Sequence, residues 1–294
     1  MKKSALVFLC LFLAVLTPLA YAEDPQPTEM TLAEFEATLN YQHGDIDLPD
    51  GIATLKLPES FRYLDPEDTE RVLVMAWGNP EGDGTLGMLF PSDISPLTED
   101  GWGVIITYEE DGYVSDKDAD SIDYEDLLKE MKDGVAEANK EREKLGYESM
   151  EFVGWAAKPY YDKESHKLYW AKELSFGENP VHTLNYNVRI LGRKGVLVLN
   201  AVAGINQVSA IANDMNQVIA FTDFNPGHRY SEYNSKTDKA AAYGLAALVA
   251  GGIGAKTGLF AKLIGLLIAA KKFVIVGFIA LVGILSRIFK RKEP

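Results

Sequence analysis

Cysteine is almost missing from this chain, and its one example, Cys10, lies inside an N-terminal apolar run. Beyond that run no thiol remains, which excludes disulfides, thiolate metal sites and cysteine nucleophiles. Histidine is scarce as well: His43, His166, His182 and His228 complete the set. None stands four residues from another, so the local ligand spacing of a zinc site is lacking, and surface or turn positions are expected for all four. Neither G-x-S-x-G nor H-E-x-x-H occurs. The sequence therefore assigns no catalytic residue, no metal and no cofactor, and it leans away from an enzyme.

The two ends hold what the middle lacks, long apolar runs. "MKKSALVFLCLFLAVLTPLAYAED" places Lys2 and Lys3 before an apolar stretch and small residues at Ala20 and Ala22. That order reads as a signal peptide over residues 1–22. At the other end "AAAYGLAALVAGGIGA" (240–255) is uncharged, and "FVIVGFIALVGIL" (273–285) follows a lysine-dotted stretch. At 1.5 Å per residue these runs span roughly 24 Å and 20 Å, against a bilayer core of about 30 Å. Snorkelling by Lys256 and Arg287 extends them. Residues 236–294 are thus expected to form an anchor that meets the lipid bilayer through residues 240–289, as two membrane-embedded helices with a basic tail.

Charge separates the parts. Residues 1–22 carry +2 and residues 240–294 carry +7, so the whole-chain −14 leaves −23 on residues 23–239. A domain so acidic is repelled by nucleic acid, which excludes DNA and RNA as partners. "GGIGAKTG" (251–258) looks like a phosphate-binding loop but fails its pattern. Aligned on Lys256 and Thr257, G-x-x-x-x-G-K-[ST] needs glycine at 250 and 255, and both are alanine. No nucleotide is expected there. Gly254 and Gly258 form instead a small-xxx-small pair suited to close helix packing in a membrane.

Between the ends the chain reads as one acidic α+β domain, residues 23–235. Thr31 and Glu34 make a capping box for a helix over 31–40. Alternation around Pro49-Asp50-Gly51 predicts a hairpin over 44–58. Asp65 and Pro66 open a second helix that Gly78 stops. Strands follow at "LGMLFP" and "WGVIITYE", then a long helix over 123–146 with acids early and bases late. Extended runs at 150–158, 166–176, 181–191 and 195–203 are divided by turn residues, the pattern of an antiparallel meander. A helix at about 205–220 leads to "FTDFNPGHRYSEYNSKTDK", read as a polar neck. The fold class is α+β: an antiparallel sheet sandwich with packed helices, followed by C-terminal membrane helices.

Several of these stretches occur together in a known pattern: "GIATLKLPESFRYLDPEDTERVL", "WGNP", "LGMLFP", "YWAKEL", "LNYNVRILGRKGVLVLN", and "FNPGHRYSEYN" before "AAYGLAALVAGG". From about residue 40 to the C-terminus the chain resembles the domain-of-unknown-function family numbered 2167. The resemblance implies a membrane-anchored bacterial protein and transfers no catalytic residue. The strand order is also similar to small periplasmic sandwich domains of the PsbP-like kind, at the level of fold alone.

Two constellations remain. Asp116, Asp118 and Asp120 have calcium-loop spacing, yet the sixth and twelfth positions hold Ser121 and Leu127 where glycine and glutamate are needed. A solvated acidic loop is expected. "WGNP" and "GHRY" offer Trp77, Asn79, His228, Arg229 and Tyr230 as a recognition surface, set against a core tryptophan, an Asn-Pro turn and an interfacial aromatic belt. Together these features indicate an extracytoplasmic binding or scaffold protein of the bacterial envelope. It would lie at the inner membrane with its domain facing the periplasm and engage an envelope protein or component; the alternative is an envelope hydrolase using an Asp/Glu pair. Alkaline phosphatase fused before residue 235 is expected to be active, and cytoplasmic fluorescence from the same fusion points would overturn that orientation. A C-terminal fusion reports which side the basic tail occupies.

Overall fold

The computed structural model describes residues 30–250 apart from Pro80, Asp83 and Leu145. The signal-peptide reading, the stretch 251–258, the Gly254/Gly258 pair and the run Phe273–Leu285 lie outside the described residues.

Local signals set the short elements. Helix α1 (Leu32–Ala37) has the expected capping box: the Glu34 amide donates to the Thr31 hydroxyl and the Thr31 amide donates to the Glu34 carboxylate. Strands β1 (Asp45–Asp47) and β2 (Ala53–Lys56) form the expected hairpin, turned by Pro49–Gly51 with Asp50 and Gly51 both left-handed. After β3 (Phe61–Leu64), Asp65 caps α2 (Pro66–Arg71), which runs on as a π-turn over Val72–Ala76 and ends at the left-handed Gly78. Strands β4 (Thr85–Pro91), β5 (Gly103–Glu109) and β6 (Tyr113–Ser115) precede α3 (Tyr124–Lys144). Gly87 lies under the Tyr63 ring, where a Cβ would come within 2.2 Å of it.

The meander is as expected, with β7 (Met150–Asp162), β8 (Lys167–Phe176), β9 (Thr183–Leu191) and β10 (Val196–Gly204). It joins the earlier strands in a seven-stranded antiparallel sheet of order β3-β4-β5-β10-β9-β8-β7. Edge strand β7 is bulged in three places, and side chains of α3 occupy part of its outer backbone. Asn139 exchanges two hydrogen bonds of 2.8 Å with Met150, and Lys132 donates to the Val153 carbonyl. Bulges and side-chain caps of this kind discourage a further strand from pairing there.

Both faces of the sheet are covered. On the first, α4 (Val208–Phe221) and the small sheet β1-β2-β11 (β11, Thr222–Phe224) enclose the main core around Leu55, Trp102, Ile106, Val188, Leu199, Ile211 and Met215. On the second, three smaller cores lie under α1 with α2, under α3, and under a C-terminal return.

That return corrects the sequence reading. Residues 221–239, expected as a polar neck, fold back on the domain: β11 pairs with β2, and Tyr230 and Tyr233 stack on Tyr113. Residues 240–250, expected to begin a membrane helix, form instead strand β12 (Ala240–Gly244), parallel to β6, and helix α5 (Leu245–Ala250). Leu245, Leu248 and Val249 are buried beside Val114, Leu127, Trp170 and Val198. The domain therefore runs past 235 to at least Ala250. Its apolar residues at 245, 248 and 249 meet a protein core, which satisfies them as lipid would. Among the described residues no helix is long and apolar enough to cross a membrane.

The acidic loop holds this return. Asp118 accepts from the Leu245 and Ala246 amides at 3.2 and 3.3 Å, and a Cβ on Gly244 would strike that carboxylate at 2.4 Å. Asp116 accepts from the Tyr161 hydroxyl, and Asp120 pairs with Lys163. Asp116 and Asp118 are thus tied into the fold, whereas Asp120 is exposed as expected of a solvated loop. Arg193 grips Asp238 with two hydrogen bonds, 2.7 and 3.0 Å, and Tyr243 donates to Asp111.

Two outcomes follow. Leu245→Ala is expected to destabilise the domain by about 2–5 kcal/mol, the usual cost of a large-to-small change in a core. Denaturant unfolding of the full chain in detergent, read by tryptophan fluorescence, measures it; no change would return residue 245 to the membrane. The Arg193 hydrogen bonds, then the Asn234 amide, hold the Asp238 carboxyl well below the usual carboxylate range. A depressed carboxyl contributes stability above its ordinary value of 3.8, and the contribution fades as pH falls toward the folded value. Asp238→Asn should therefore lower stability at pH 7, with its difference from the wild type shrinking below about pH 4.

Candidate functional site

Strands β9 and β10 alternate in an unusual way. Leu184, Tyr186, Val188 and Ile190 of β9 face the main core, as do Leu197, Leu199, Ala201 and Ala203 of β10. The opposite face of β9 presents Asn185, Asn187 and Arg189, and that of β10 presents Asn200 between Val198 and Val202. Such a pattern suits a half-wet strand, yet these four polar residues are 5%, 3%, 7% and 1% exposed. Burying amides and a guanidinium is costly unless each finds partners.

The register gathers them with two residues of β8. Asn187 stands directly between Trp170 and Asn200, and Asn185 stands opposite Lys172. The Asn185 amide donates to the Asn200 side-chain oxygen at 2.8 Å, and the Asn187 amide donates to the Asn185 side-chain oxygen, also at 2.8 Å. Asn200 Nδ2 and Trp170 Nε1 are buried without an acceptor among the described residues. The Arg189 guanidinium lies 4.9 Å from the Trp170 ring centroid and, among the described residues, donates to the Val188 carbonyl alone. Burial, opposed by Glu109 and Tyr243, lowers its affinity for its proton. Lys172 makes no ion pair with a described carboxylate, and burial, then Arg189, brings its ammonium down to about 8. The strip is thus rich in donors and positive charge.

The sequence-derived surface is divided by the structure. Trp77 is core: it is 1% exposed, packs edge-on to Phe90 and donates to the Pro96 carbonyl. Asn79 is buried beside it, with both side-chain polar atoms unpartnered among the described residues. Tyr230 belongs to a different cluster, stacked on Tyr113 and 4.2 Å from the His166 ring. Its phenol is raised far above its ordinary value by burial first, then by Tyr113 and Asp116. Arg229 pairs in a bridge with Gly192 and donates to the Phe224 carbonyl, while the His228 carbonyl accepts from the Arg193 amide. Trp77 with Asn79 and the trio 228–230 therefore occupy separate clusters, and the polar strip between them was not singled out from the sequence. The signal available was an asparagine inside the apolar run "VLVLNAVAG".

The histidines do not converge. His166 touches Tyr161 and Asp116, His182 bonds Glu173, and His43 is exposed. Among the described residues no group of three His, Cys, Asp or Glu side chains is placed to hold a metal ion. The lining of a groove of about 390 Å³ between α3 and β7 carries, among the described residues, one carboxylate, Glu151. Asp214 on α4 is raised by burial and then by Asp93, but it lies on the other side of the sheet from the strip. Among the described residues that lining brings no second Asp or Glu beside Glu151 for the pair of the alternative reading.

Comparison with curated proteins gives no match. Among solved structures, the cyanobacterial PsbP (CyanoP) of Synechocystis sp. PCC 6803 is similar over 64% of this chain and 92% of its own, at 8% identity and a TM-score of 0.35. The Saccharomyces cerevisiae Ran-binding protein Mog1p is similar over 63% of this chain and 96% of its own, at 11% identity and a TM-score of 0.34. Residues 40–282 match a family whose description is Protein of unknown function (DUF2167), and the chain belongs to that family.

Proposed function

We propose that this protein is a membrane-tethered extracytoplasmic binding protein of the bacterial envelope, and that the polar strip on β8, β9 and β10 is its binding face. The tether is assigned to sequence beyond Ala250, and the acidic domain faces the periplasm. Support for the location comes from the signal-like N-terminus and from the contrast between −23 on residues 23–239 and +7 on residues 240–294.

One observation carries the binding reading. Asn185, Asn187, Asn200 and Arg189 are buried on a sheet face whose neighbours on both flanks are apolar. A folded domain gains nothing from an incompletely bonded polar network that well-packed apolar side chains would not supply equally or better. Local conflicts with good packing are expected where function requires them.

The test is the triple replacement Asn185→Val, Asn187→Val and Asn200→Val. It removes both members of every amide–amide bond and the orphaned Asn200 donor together. Thermal stability in detergent is expected to hold or rise. Asn185→Val alone strands Asn200 Oδ1, leaves Asn187 Nδ2 with only the residue-185 carbonyl as acceptor, and should cost about 1–3 kcal/mol. Capture of the protein's envelope partner from crosslinked membranes should be lost in the triple variant while the fold persists. Undiminished capture by a stable triple variant would overturn the binding face.

A further inference from the structure

We propose that the strip receives a phosphate group, carried by an envelope lipid or by a small soluble phosphate. The inference rests on the strip being the binding face and adds the chemistry of what binds there.

The first support is the arrangement of donors. In the register Asn187 is flanked across the strands by Trp170 and Asn200, with Arg189 two residues along its own strand and Lys172 on the diagonal. Direct cross-strand neighbours lie about 5 Å apart and diagonal ones about 7–8 Å. Four donor-bearing side chains therefore ring one position on a single face. The two buried polar atoms of this ring that lack a partner, Trp170 Nε1 and Asn200 Nδ2, are both N–H donors. Such a ring asks for an acceptor with several oxygens. A carboxylate offers two, whereas a phosphate monoester offers three and suits both a point-charge lysine and a forked arginine.

The second support is charge. The domain is strongly acidic, and that field alone would repel an anion. Exposed charges are screened beyond about 8 Å at physiological ionic strength, while buried ones are screened far less. Inside the strip the near charges decide, and these are Lys172 and Arg189, with Glu109 and the Tyr243 hydroxyl acting on Arg189. The Trp170 ring against Arg189 keeps the guanidinium in place for a ligand. Lys172, brought down to about 8 by burial and Arg189, is the group that an arriving anion would restore to its charged state.

The experiment uses the full chain in detergent with inorganic phosphate and a short-chain phosphatidic acid as probes, against chloride at matched ionic strength. Phosphate should raise the melting temperature in a dose-dependent way at pH 7. Lys172→Met and Arg189→Met should each weaken that response about tenfold or more, as expected when one partner of a buried charge pair is removed. Lys172→Arg keeps the charge and should restore it, which separates loss of binding from loss of fold. Affinity should fall between pH 7 and 9 in the wild type as Lys172 loses its proton, and Lys172→Met should lack that fall. Tenfold tighter binding of the phosphatidic acid assigns the group to a lipid, and equal binding assigns it to a soluble phosphate. No response to either probe, or equal responses in wild type and both Met variants, overturns the proposal. If the Met variants still capture the partner while the triple Asn variant does not, the strip binds a neutral ligand. In that case the phosphate fails and the binding face stands.

Discussion

Every residue of β9 and β10 is buried, and the rest of the architecture depends on that constraint. Two adjacent central strands closed on both faces require two separate covers. Helix α4 and the β1-β2-β11 sheet provide one, joined to β9 and β10 through Val188, Leu199, Ile211 and Met215. The other is assembled from pieces far apart in sequence: α1 with α2, then α3, then β6 with β12 and α5. None of these pieces is long enough to cover the face alone, so the polar strip lies where their separate cores meet.

The local grammar of the fold was legible because its causes are local. Thr31 and Glu34 cap a helix within three residues, Asp65 and Pro66 start another, and Asp162 ends β7 where Lys163 opens the turn to β8. The meander followed from such punctuation to within a few residues. The tail was not legible, because an apolar run states only that water must be avoided. Leu245, Leu248 and Val249 satisfy that requirement against Trp170 and Val198 as lipid would. Their use in a core depends on Asp118 and on β6, more than a hundred residues earlier.

The candidate site was hidden for a related reason. Alternating polar residues in a strand ordinarily mean a wet face, and Asn185, Asn187 and Arg189 fit that rule until their burial is known. Trp77 and Asn79, an aromatic and an amide beside a turn, have the residue types of a recognition surface, but Trp77 serves the core. Spacing located the acidic loop but not its internal division: Asp118 holds the return of the chain and Asp116 accepts from Tyr161, while Asp120 stays exposed beside Lys163.

The order in which the chain leaves the ribosome gives the Arg193–Asp238 grip and the β11–β2 pairing a further meaning. Strand β2 is made early and waits for a partner that follows it by more than 150 residues. Until residues 222–250 are available, β2 has an open edge, Arg193 lacks its carboxylate, and the cluster around Trp170 lacks α5. A chain emerging N-terminus first therefore remains an unfinished domain until residues 222–250 are free to fold back. Completion of the fold thus waits for the segment up to residue 250, and this late segment also closes the face on which the strip lies.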